Sequence, residues 1–276
     1  MKISVFLFVV FIFCAPQPQN ETFSWMVIPN KVTPTISPSS KSVSIDTVLS
    51  YPQVLTGHVI FSQQDSSRWL AVQIGADAAY VPLKTVVRLR HPEAVQEINS
   101  FRLTDIQFPL SLSYKPPNLV RLSQKWNFHQ KDYTKFMRQD AALALEKMLI
   151  AAEKADAHMR VMSAYRSAEH QRRLYLLSLK EDHGDLISVA KPGYSEHQLG
   201  IVADLCNLNP KSVFHPEFDL CVEGQWLKAH AREYGFEQSY TKENMYETGV
   251  IPEPWHFRYI GDLDSIIQVE SRMVNQ

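Results

Sequence analysis

The sequence has almost no net charge, few cysteines and no apolar stretch long enough to span a bilayer. Its 28 Lys and Arg nearly balance 29 Asp and Glu, so the formal charge of -1 gives no general attraction to nucleic acid or to an anionic membrane. The three cysteines do not cluster with histidines, which argues against a structural zinc domain closed by four ligands. With 45% hydrophobic and 21% charged residues in 276, the chain is predicted to form one sizeable globular domain and a smaller one.

The apolar stretch that does occur lies at the N-terminus. Residues 1–15 carry one early lysine before an apolar run, which is typical of a secretory signal peptide and shorter than the ~20 residues of a membrane-spanning helix. Phe13 is bulky for a cleavage site, so the point of cleavage stays open. We predict export to the periplasm or cell envelope, with an uncleaved anchor or a buried N-terminal strand as alternatives. Membrane contact is expected only through an uncleaved leader.

Composition divides the rest of the chain into three parts. Residues 16–45 are rich in Pro, Ser and Thr, which predicts a flexible linker. Residues 46–103 contain short β-branched or aromatic runs separated by polar turns, which predicts a small antiparallel β subdomain. This order of runs is similar to bacterial SH3-like domains, which often bind cell wall, but an unrelated β subdomain explains it equally well.

Residues 104–276 mix helices with short strands. Apolar residues recur at helical spacing between Ala141 and Ala152, which predicts an amphipathic helix. Residues 159–165 form an apolar run that leads to Arg166, and later apolar runs at 201–205 and 255–260 also favour strands. Because strands and helices do not alternate as in a parallel sheet, we expect an α+β domain with a small antiparallel sheet flanked by helices.

Two compact motifs of this domain carry chemically useful side chains. The first, residues 195–204, places His197 and Asp204 on either side of a glycine, and the second, residues 253–258, contains Glu253 and His256. Two imidazoles and one carboxylate can bind zinc and leave its fourth position for water, as in catalytic sites. The remaining carboxylate is then free to transfer protons.

The glycine and a proline are expected to shape these motifs. Gly200 would let the chain turn tightly enough to bring both side chains of the first motif to one ion. Pro254 interrupts strand pairing, so Glu253 can point toward the same ion. Arg258 shares a strand face with His256 and is either a partner of that ligand or a surface charge.

These motifs resemble those of the VanY-type D-alanyl-D-alanine carboxypeptidases, within the zinc peptidases that act on peptidoglycan. The resemblance covers roughly residues 105–262 and includes four motifs in the family's order. These are Ser163-Ala164-Tyr165-Arg166-Ser167, Lys191-Pro192-Gly193, the run Ser195-x-His197-x-x-Gly200-x-Val202-x-Asp204, and Glu253-Pro254-Trp255-His256. The order of the motifs over this length makes coincidence an inadequate explanation.

The resemblance implies a role for each residue of the metal site. His197, Asp204 and His256 would bind one zinc ion, and Glu253 would be the catalytic base. The chemistry of these groups agrees, because zinc lowers the pKa of its water toward ~7 and a nearby carboxylate can take the proton and pass it to the departing amine.

The resemblance also implies that Arg166 binds the carboxylate of the substrate, which its guanidinium can hold through two parallel hydrogen bonds. Gln171 follows on the next predicted helix and is a candidate for substrate contact. Ser195 is expected to contact substrate or to orient the loop that carries the first ligand. Ser195 is not expected to act as a nucleophile, because no base is spaced to activate it.

Three departures from the family pattern bear on the substrate. Val202 and Ala164 replace a usual Ala and Gly, which are small changes. Many relatives carry Arg-Tyr-Pro after the Gly-Phe pair, whereas residues 237–241 here read Glu-Gln-Ser-Tyr-Thr. A missing positive charge near the groove would change which peptide termini are accepted.

Two cysteines remain if the leader is removed. Cys206 and Cys221 could form a disulfide in an oxidising compartment, which would stabilise the fold by roughly 3 kcal/mol. Two free thiols are the alternative.

The resemblance implies an enzyme that trims terminal D-Ala from peptidoglycan stem peptides, and we expect this enzyme to be a monomer. An L,D-carboxypeptidase and a peptidoglycan endopeptidase share the metal chemistry and are the enzymatic alternatives. A non-catalytic cell-wall-binding protein on the same fold is the alternative of a different class. The complete set of ligands, base and arginine favours an enzyme.

Overall fold

A computed structural model of the chain describes residues 23–89, 109–128, 135–179 and 188–261. The chain divides into two compact units, Met1–Val86 and Val87–Gln276. None of the helices within the described ranges combines the length and apolar character that crossing a bilayer requires. The predicted leader, residues 1–15, and the predicted domain boundary at 103/104 lie outside the described residues.

The first unit is built on a five-stranded sheet with the spatial order β4-β3-β2-β1-β5, in which the pairs β1–β2, β2–β3 and β3–β4 are antiparallel. Its strands are β1 (Phe23–Val27), β2 (Val54–Phe61), β3 (Arg68–Ile74), β4 (Asp77–Pro82) and β5 (Val86–Arg88). The core of this unit consists of apolar residues from these strands and from the segment between β1 and β2. The predicted β runs are therefore present, while the SH3-like assignment stays a prediction.

The expected linker at residues 16–45 differs from the structure over its described part. Phe23 to Met26 pair with β2, and Trp25, Val27 and Val32 are buried in the core of the first unit. Hydrogen bonds also tie residue 32 to Leu49 in both directions. The few apolar residues of this polar segment therefore pack in the core of the first unit. The overall composition of the segment does not reveal this packing.

The second unit combines a four-stranded antiparallel sheet, a two-stranded hairpin and helices. In the larger sheet the order is β10-β11-β9-β8, and β6 pairs with β7 in the smaller one. The strands are β6 (Leu119–Arg121), β7 (Phe136–Arg138), β8 (Arg160–Ser163), β9 (Val202–Cys206), β10 (Phe236–Gln238) and β11 (His256–Tyr259). The α-helices are α1 (Gln139–Lys154), α2 (Ala168–Ser178), α3 (Val222–His230) and α4 (Met245–Thr248). The α+β class with an antiparallel sheet is confirmed.

Helix α1 anchors the core of this unit. Its predicted apolar stripe, including Leu145, Met148 and Leu149, is buried against residues of the larger sheet such as Val161 and Phe257. The opposite face of the sheet carries the polar side chains at Asp204, His256 and Arg258, because side chains alternate along a strand. The core therefore packs against one face of the sheet, while the other face presents the polar groups.

Cys206 and Cys221, the cysteines within the described ranges, are free thiols, and the predicted disulfide between them is absent. Cys206 is buried on β9, and Cys221 is half-buried at the start of α3. The alternative of two free thiols is the one that the structure shows.

Candidate metal centre

Three side chains from separate elements meet on the polar face of the larger sheet. His197 lies in a short 3-10 helix, Glu196–Leu199, while Asp204 on β9 and His256 on β11 are direct partners in the antiparallel register. One potential ligand atom from each lies within 4.8 Å of the other two. All three residues are buried. The structure thus brings together the three residues predicted as metal ligands.

Gly200 gives the first two ligands their spacing. It ends the 3-10 helix with φ of 72°, a left-handed backbone that glycine adopts without strain. A Cβ at this position would lie 2.8 Å from Cγ of Pro116, closer than two carbon atoms approach. The chain can therefore leave the 3-10 helix and enter β9 within two residues, as the sequence predicted.

The imidazoles are oriented by contacts at the nitrogen that faces away from the centre. Nδ1 of His197 lies 2.7 Å from the carbonyl oxygen of Ala164 and donates to it, which leaves Nε2 3.1 Å from Oδ2 of Asp204. Nδ1 of His256 lies 3.2 Å from Oδ1 of Asp204. The two rings are nearly perpendicular, with centroids 5.0 Å apart. Nε2 of His197, Nδ1 of His256 and the carboxylate therefore face a common point.

The buried carboxylate at this point fits a cation. Oδ1 of Asp204 is buried and accepts no hydrogen bond from any described residue, an arrangement that is costly for a charged group. Burial lowers the pKa of His197 to about 4, so its imidazole is neutral at neutral pH, as a metal ligand must be. Two imidazole nitrogens and one carboxylate oxygen are a donor set suited to zinc with an open fourth position.

Glu253 lies directly beside the metal ligands. Its Oε2 is 3.3 Å from Nδ1 of His256, and its side chain is 13% exposed. The backbone holds it there, because its N–H donates to the carbonyl of Tyr240 and its carbonyl accepts from the N–H of His256. Burial raises the pKa of Glu253, which makes the carboxylate a better proton acceptor.

Arg166 reaches the same centre from the turn that follows β8. Its Nη2 lies 3.5 Å from Oδ2 of Asp204 and donates to Oγ of Ser163 at 3.0 Å. Its backbone N–H also donates to the carbonyl of His197. Burial lowers the pKa of Arg166, against the raising effect of the Asp204 and Glu253 charges. The guanidinium nevertheless stays charged, because arginine does not deprotonate in proteins.

The two other predicted substrate contacts differ in how their polar atoms are used. Gln171 on α2 is buried, accepts from Nη1 of Arg166 at 2.8 Å and donates to the carbonyl of Ala190 at 2.7 Å. These bonds suit a residue that orients Arg166. Ser195 is buried at the start of the 3-10 helix, but its side chain makes no capping hydrogen bond there. Direct contact of either residue with substrate stays a prediction.

Glu196 is a residue of this site that the sequence did not single out. It is fully buried, and its two oxygens lie 3.0 Å from Nε2 of His256 and 3.0 Å from Nη1 of Arg258. The available signal was its charge and its place directly before His197 in the first motif. From the sequence, Arg258 was either a partner of the ligand His256 or a surface charge. It is 7% exposed and contacts His256 through Glu196.

Residues 237–241, which depart from the family pattern, contact Arg258, Glu253 and His256. Oε1 of Glu237 accepts from Nη2 of Arg258 at 2.7 Å. Nε2 of Gln238 donates to the carbonyl of Tyr240 at 2.8 Å and approaches that of Glu253 at 3.4 Å. The ring of Tyr240 packs on that of His256, with centroids 4.8 Å apart. An effect of this stretch on the accepted peptide termini stays a prediction.

Comparisons with known proteins agree with the site. Residues 134–262 match the family model VanY, described as D-alanyl-D-alanine carboxypeptidase. The YodJ protein of Bacillus subtilis (strain 168) is 33% identical over 165 residues, which are 59% of this chain and 60% of YodJ. The bifunctional D-Ala-D-Ala dipeptidase and D-Ala-D-Ala carboxypeptidase VanXYC of Enterococcus gallinarum is 30% identical over 168 residues, which are 59% of this chain and 85% of VanXYC.

Similarity extends to solved structures. The structure of the LdcB LD-carboxypeptidase superposes with a TM-score of 0.52 and 30% sequence identity. The superposition covers 59% of this chain and 78% of the LdcB chain.

Proposed function

Because the chain belongs to the VanY family of D-alanyl-D-alanine carboxypeptidases, we propose that it is a zinc-dependent carboxypeptidase that removes the terminal D-Ala from peptidoglycan stem peptides. One observation carries the proposal. The ligand atoms of His197, Asp204 and His256 lie within 4.8 Å of one another, and Glu253 lies 3.3 Å from the last of these residues. A ligand set with an adjacent free carboxylate is what metal-assisted peptide hydrolysis requires.

His197 through Nε2, His256 through Nδ1 and the carboxylate of Asp204 would hold one zinc ion. Zinc bound there would lower the pKa of a water molecule and polarise the scissile carbonyl. Three protein ligands would leave one coordination position open, which distinguishes such a site from a closed structural one.

Glu253 transfers the protons of the reaction. Its carboxylate takes one proton from the attacking water as the new C–O bond forms, and it passes this proton to the nitrogen of the departing D-Ala as the C–N bond breaks. Its position supports this role, because its Oε2 lies 3.3 Å from Nδ1 of His256, beside the proposed metal ligands. Its raised pKa supports the same role.

Arg166 binds the carboxylate at the end of the substrate. The two nitrogens that already contact Gln171 and Ser163 orient the guanidinium beside Asp204. A carboxylate bound there would lie close to the metal ligands, so that the last peptide bond is the one presented for hydrolysis. Gln171 orients Arg166, and Ser195 is proposed to contact the substrate backbone.

A second candidate is an L,D-carboxypeptidase that acts on tetrapeptide stems. The observation that favours it is the superposition on a protein named as an LD-carboxypeptidase, with a TM-score of 0.52. An endopeptidase that cuts cross-links and a cell-wall-binding protein without activity are further outcomes of the same test.

Mature peptidoglycan lies outside the cytoplasmic membrane, so we propose that the protein acts in the periplasm or cell envelope. The leader-like composition of residues 1–15 supports this location. We also propose that it acts as a monomer, because both halves of the site come from one chain.

The test is to incubate the purified protein with zinc and defined pentapeptide stems, tetrapeptide stems and cross-linked muropeptides. Mass spectrometry would identify each product, and a chelator-treated sample is the control. Loss of one D-Ala from the pentapeptide is the expected result. Cleavage of the tetrapeptide alone indicates the L,D-carboxypeptidase, and cleavage of the cross-link alone indicates the endopeptidase. Zinc binding without any cleavage would overturn the peptidase proposal in favour of a binding protein.

A further inference from the structure

A line of four charged side chains extends away from the metal centre behind His256. Nε2 of His256 contacts Glu196, which contacts Arg258, and both distances are 3.0 Å. Arg258 in turn contacts Glu237 at 2.7 Å, and Glu237 contacts Arg232 at 3.0 Å. The line begins at a fully buried carboxylate and ends at Arg232, whose side chain is 70% exposed.

The first link decides which nitrogen of His256 faces the metal. Glu196 accepts a hydrogen bond from the guanidinium of Arg258, and a carboxylate ionised by such a partner can only accept hydrogen bonds. Nε2 of His256 must therefore donate to the other oxygen of Glu196. A histidine that binds a metal ion must be neutral, so the remaining nitrogen, Nδ1, then has its lone pair free for the ion. That nitrogen is the one that faces Asp204.

The second and third links keep the carboxylate in place. Arg258 and Glu237 are direct neighbours in the antiparallel register of β11 and β10, so their contact is fixed by the sheet. The side chain of Arg258 is 9% exposed and lies between the two carboxylates. Buried ion pairs of this kind contribute little to stability, because desolvation offsets their attraction. A role in orienting the ligand explains the arrangement better than a role in stability.

We propose that Glu196 is a positioning residue that fixes His256 as a metal ligand, and that Arg258 and Glu237 hold Glu196 for this task. The inference rests on the proposed function in that the ligand it orients is a zinc ligand. Partners of this kind commonly contribute 10–100-fold to metal affinity or activity. We therefore expect Glu196→Gln to weaken zinc binding by about 10–100-fold.

The experiment measures the zinc dissociation constant by competition with a chromophoric chelator, on the full chain. Glu196→Gln is compared with the wild type and with Glu217→Gln, the same chemical change at a side chain that is 76% exposed. Glu237→Gln is the second variant, because it touches Arg258 but no metal ligand. It should weaken zinc binding by a smaller factor, and Glu217→Gln should not change it.

The melting temperature of the metal-free protein separates positioning from structure. If Glu196→Gln melts lower but binds zinc as tightly as the wild type, Glu196 is only structural and the inference is wrong. If Glu196→Gln does not fold, Glu237→Gln decides: unchanged zinc affinity in that variant overturns the inference. Failure of the wild type to bind zinc would instead overturn the proposed function, so the two failures are distinct.

Discussion

Oε2 of Glu253 lies 3.3 Å from Nδ1 of His256, so the proposed base directly contacts a proposed ligand. In the proposed function only the histidine binds the ion. Glu253→Gln keeps the size of the side chain but removes its ability to take a proton. We expect kcat to fall by about 10²–10⁴-fold while zinc binding is retained. Turnover of the pentapeptide and chelator competition, measured on the same preparation, check both halves of this prediction.

The matched control for this variant is Glu243→Gln, a change at an exposed glutamate away from the ligands. It should leave kcat unchanged. Loss of zinc from Glu253→Gln would show that the residue is a ligand, and full activity would show that another group moves the proton.

Arg166 is expected to act through the carboxylate of the substrate. Arg166→Lys keeps the charge but loses the planar pair of donors, and charged hydrogen bonds contribute about 1.5–3 kcal/mol. We therefore expect kcat/KM on the pentapeptide to fall by about 10–100-fold. Steady-state kinetics with peptides that end in a free carboxylate or in an amide check the cause.

The amidated peptide serves as the internal control for Arg166. Amidation should lower kcat/KM of the wild type by about the factor by which Arg166→Lys lowers it on the free acid. For the lysine variant, amidation should lower kcat/KM little further. If Arg166→Lys lowers kcat/KM relative to the wild type by the same factor on both peptides, its effect comes from the contact with Asp204 and not from substrate binding.

The thiols offer a test of the fold around the site. Burial raises the pKa of Cys206 to about 12, so its thiolate is scarce at pH 8, whereas the thiolate is the reactive form. Burial also raises the pKa of Cys221, but this thiol is half-buried. We expect iodoacetamide to label Cys221 well before Cys206 in the native protein, as read by mass spectrometry.

Denatured protein is the control for this labelling, because both thiols should then react. Labelling of neither cysteine until a reductant is added would indicate a disulfide and contradict the free thiols of the structure.

The candidate metal site could be predicted because its residues lie in two short motifs that resemble those of a known family. His197, Gly200 and Asp204 lie within eight positions of one another, and the structure confirms their convergence with His256. The class of the fold was also predictable, since the apolar stripe of α1 and the short β runs have distinct periods. The periods that predict the fold class are local in the chain, whereas the site also needs His256 from the second motif, far along the sequence.

The features that sequence did not reveal depend on distant partners. Glu196 can be buried because Arg258, 62 positions later, neutralises its charge. No residue near Glu196 in the chain predicts that partner. Trp25 is buried because β1 pairs with β2, which begins at Val54. A polar segment with a few apolar residues is read as a linker until the strand that covers it is known.

Gly200 connects the backbone to metal binding. Alanine there would be strained by φ of 72°, and its Cβ would lie 2.8 Å from Cγ of Pro116. The left-handed backbone alone costs about 1–2 kcal/mol, and relief of the contact must move either the proline or the turn that carries His197. We expect Gly200→Ala to lower the melting temperature and to weaken zinc binding, as measured by thermal unfolding and chelator competition.

Gly75→Ala separates the two causes. Gly75 has a similar φ of 62°, but a Cβ there would meet no atom within 4 Å, so this variant carries the backbone strain without the contact. It should lower stability by about 1–2 kcal/mol and leave zinc affinity unchanged. Because strain is matched between the variants, any additional loss in Gly200→Ala comes from the contacts with Pro116 and Leu119. Equal stability and equal zinc affinity in the two variants would show that the turn tolerates a side chain and that glycine is not needed to set the spacing of His197 and Asp204.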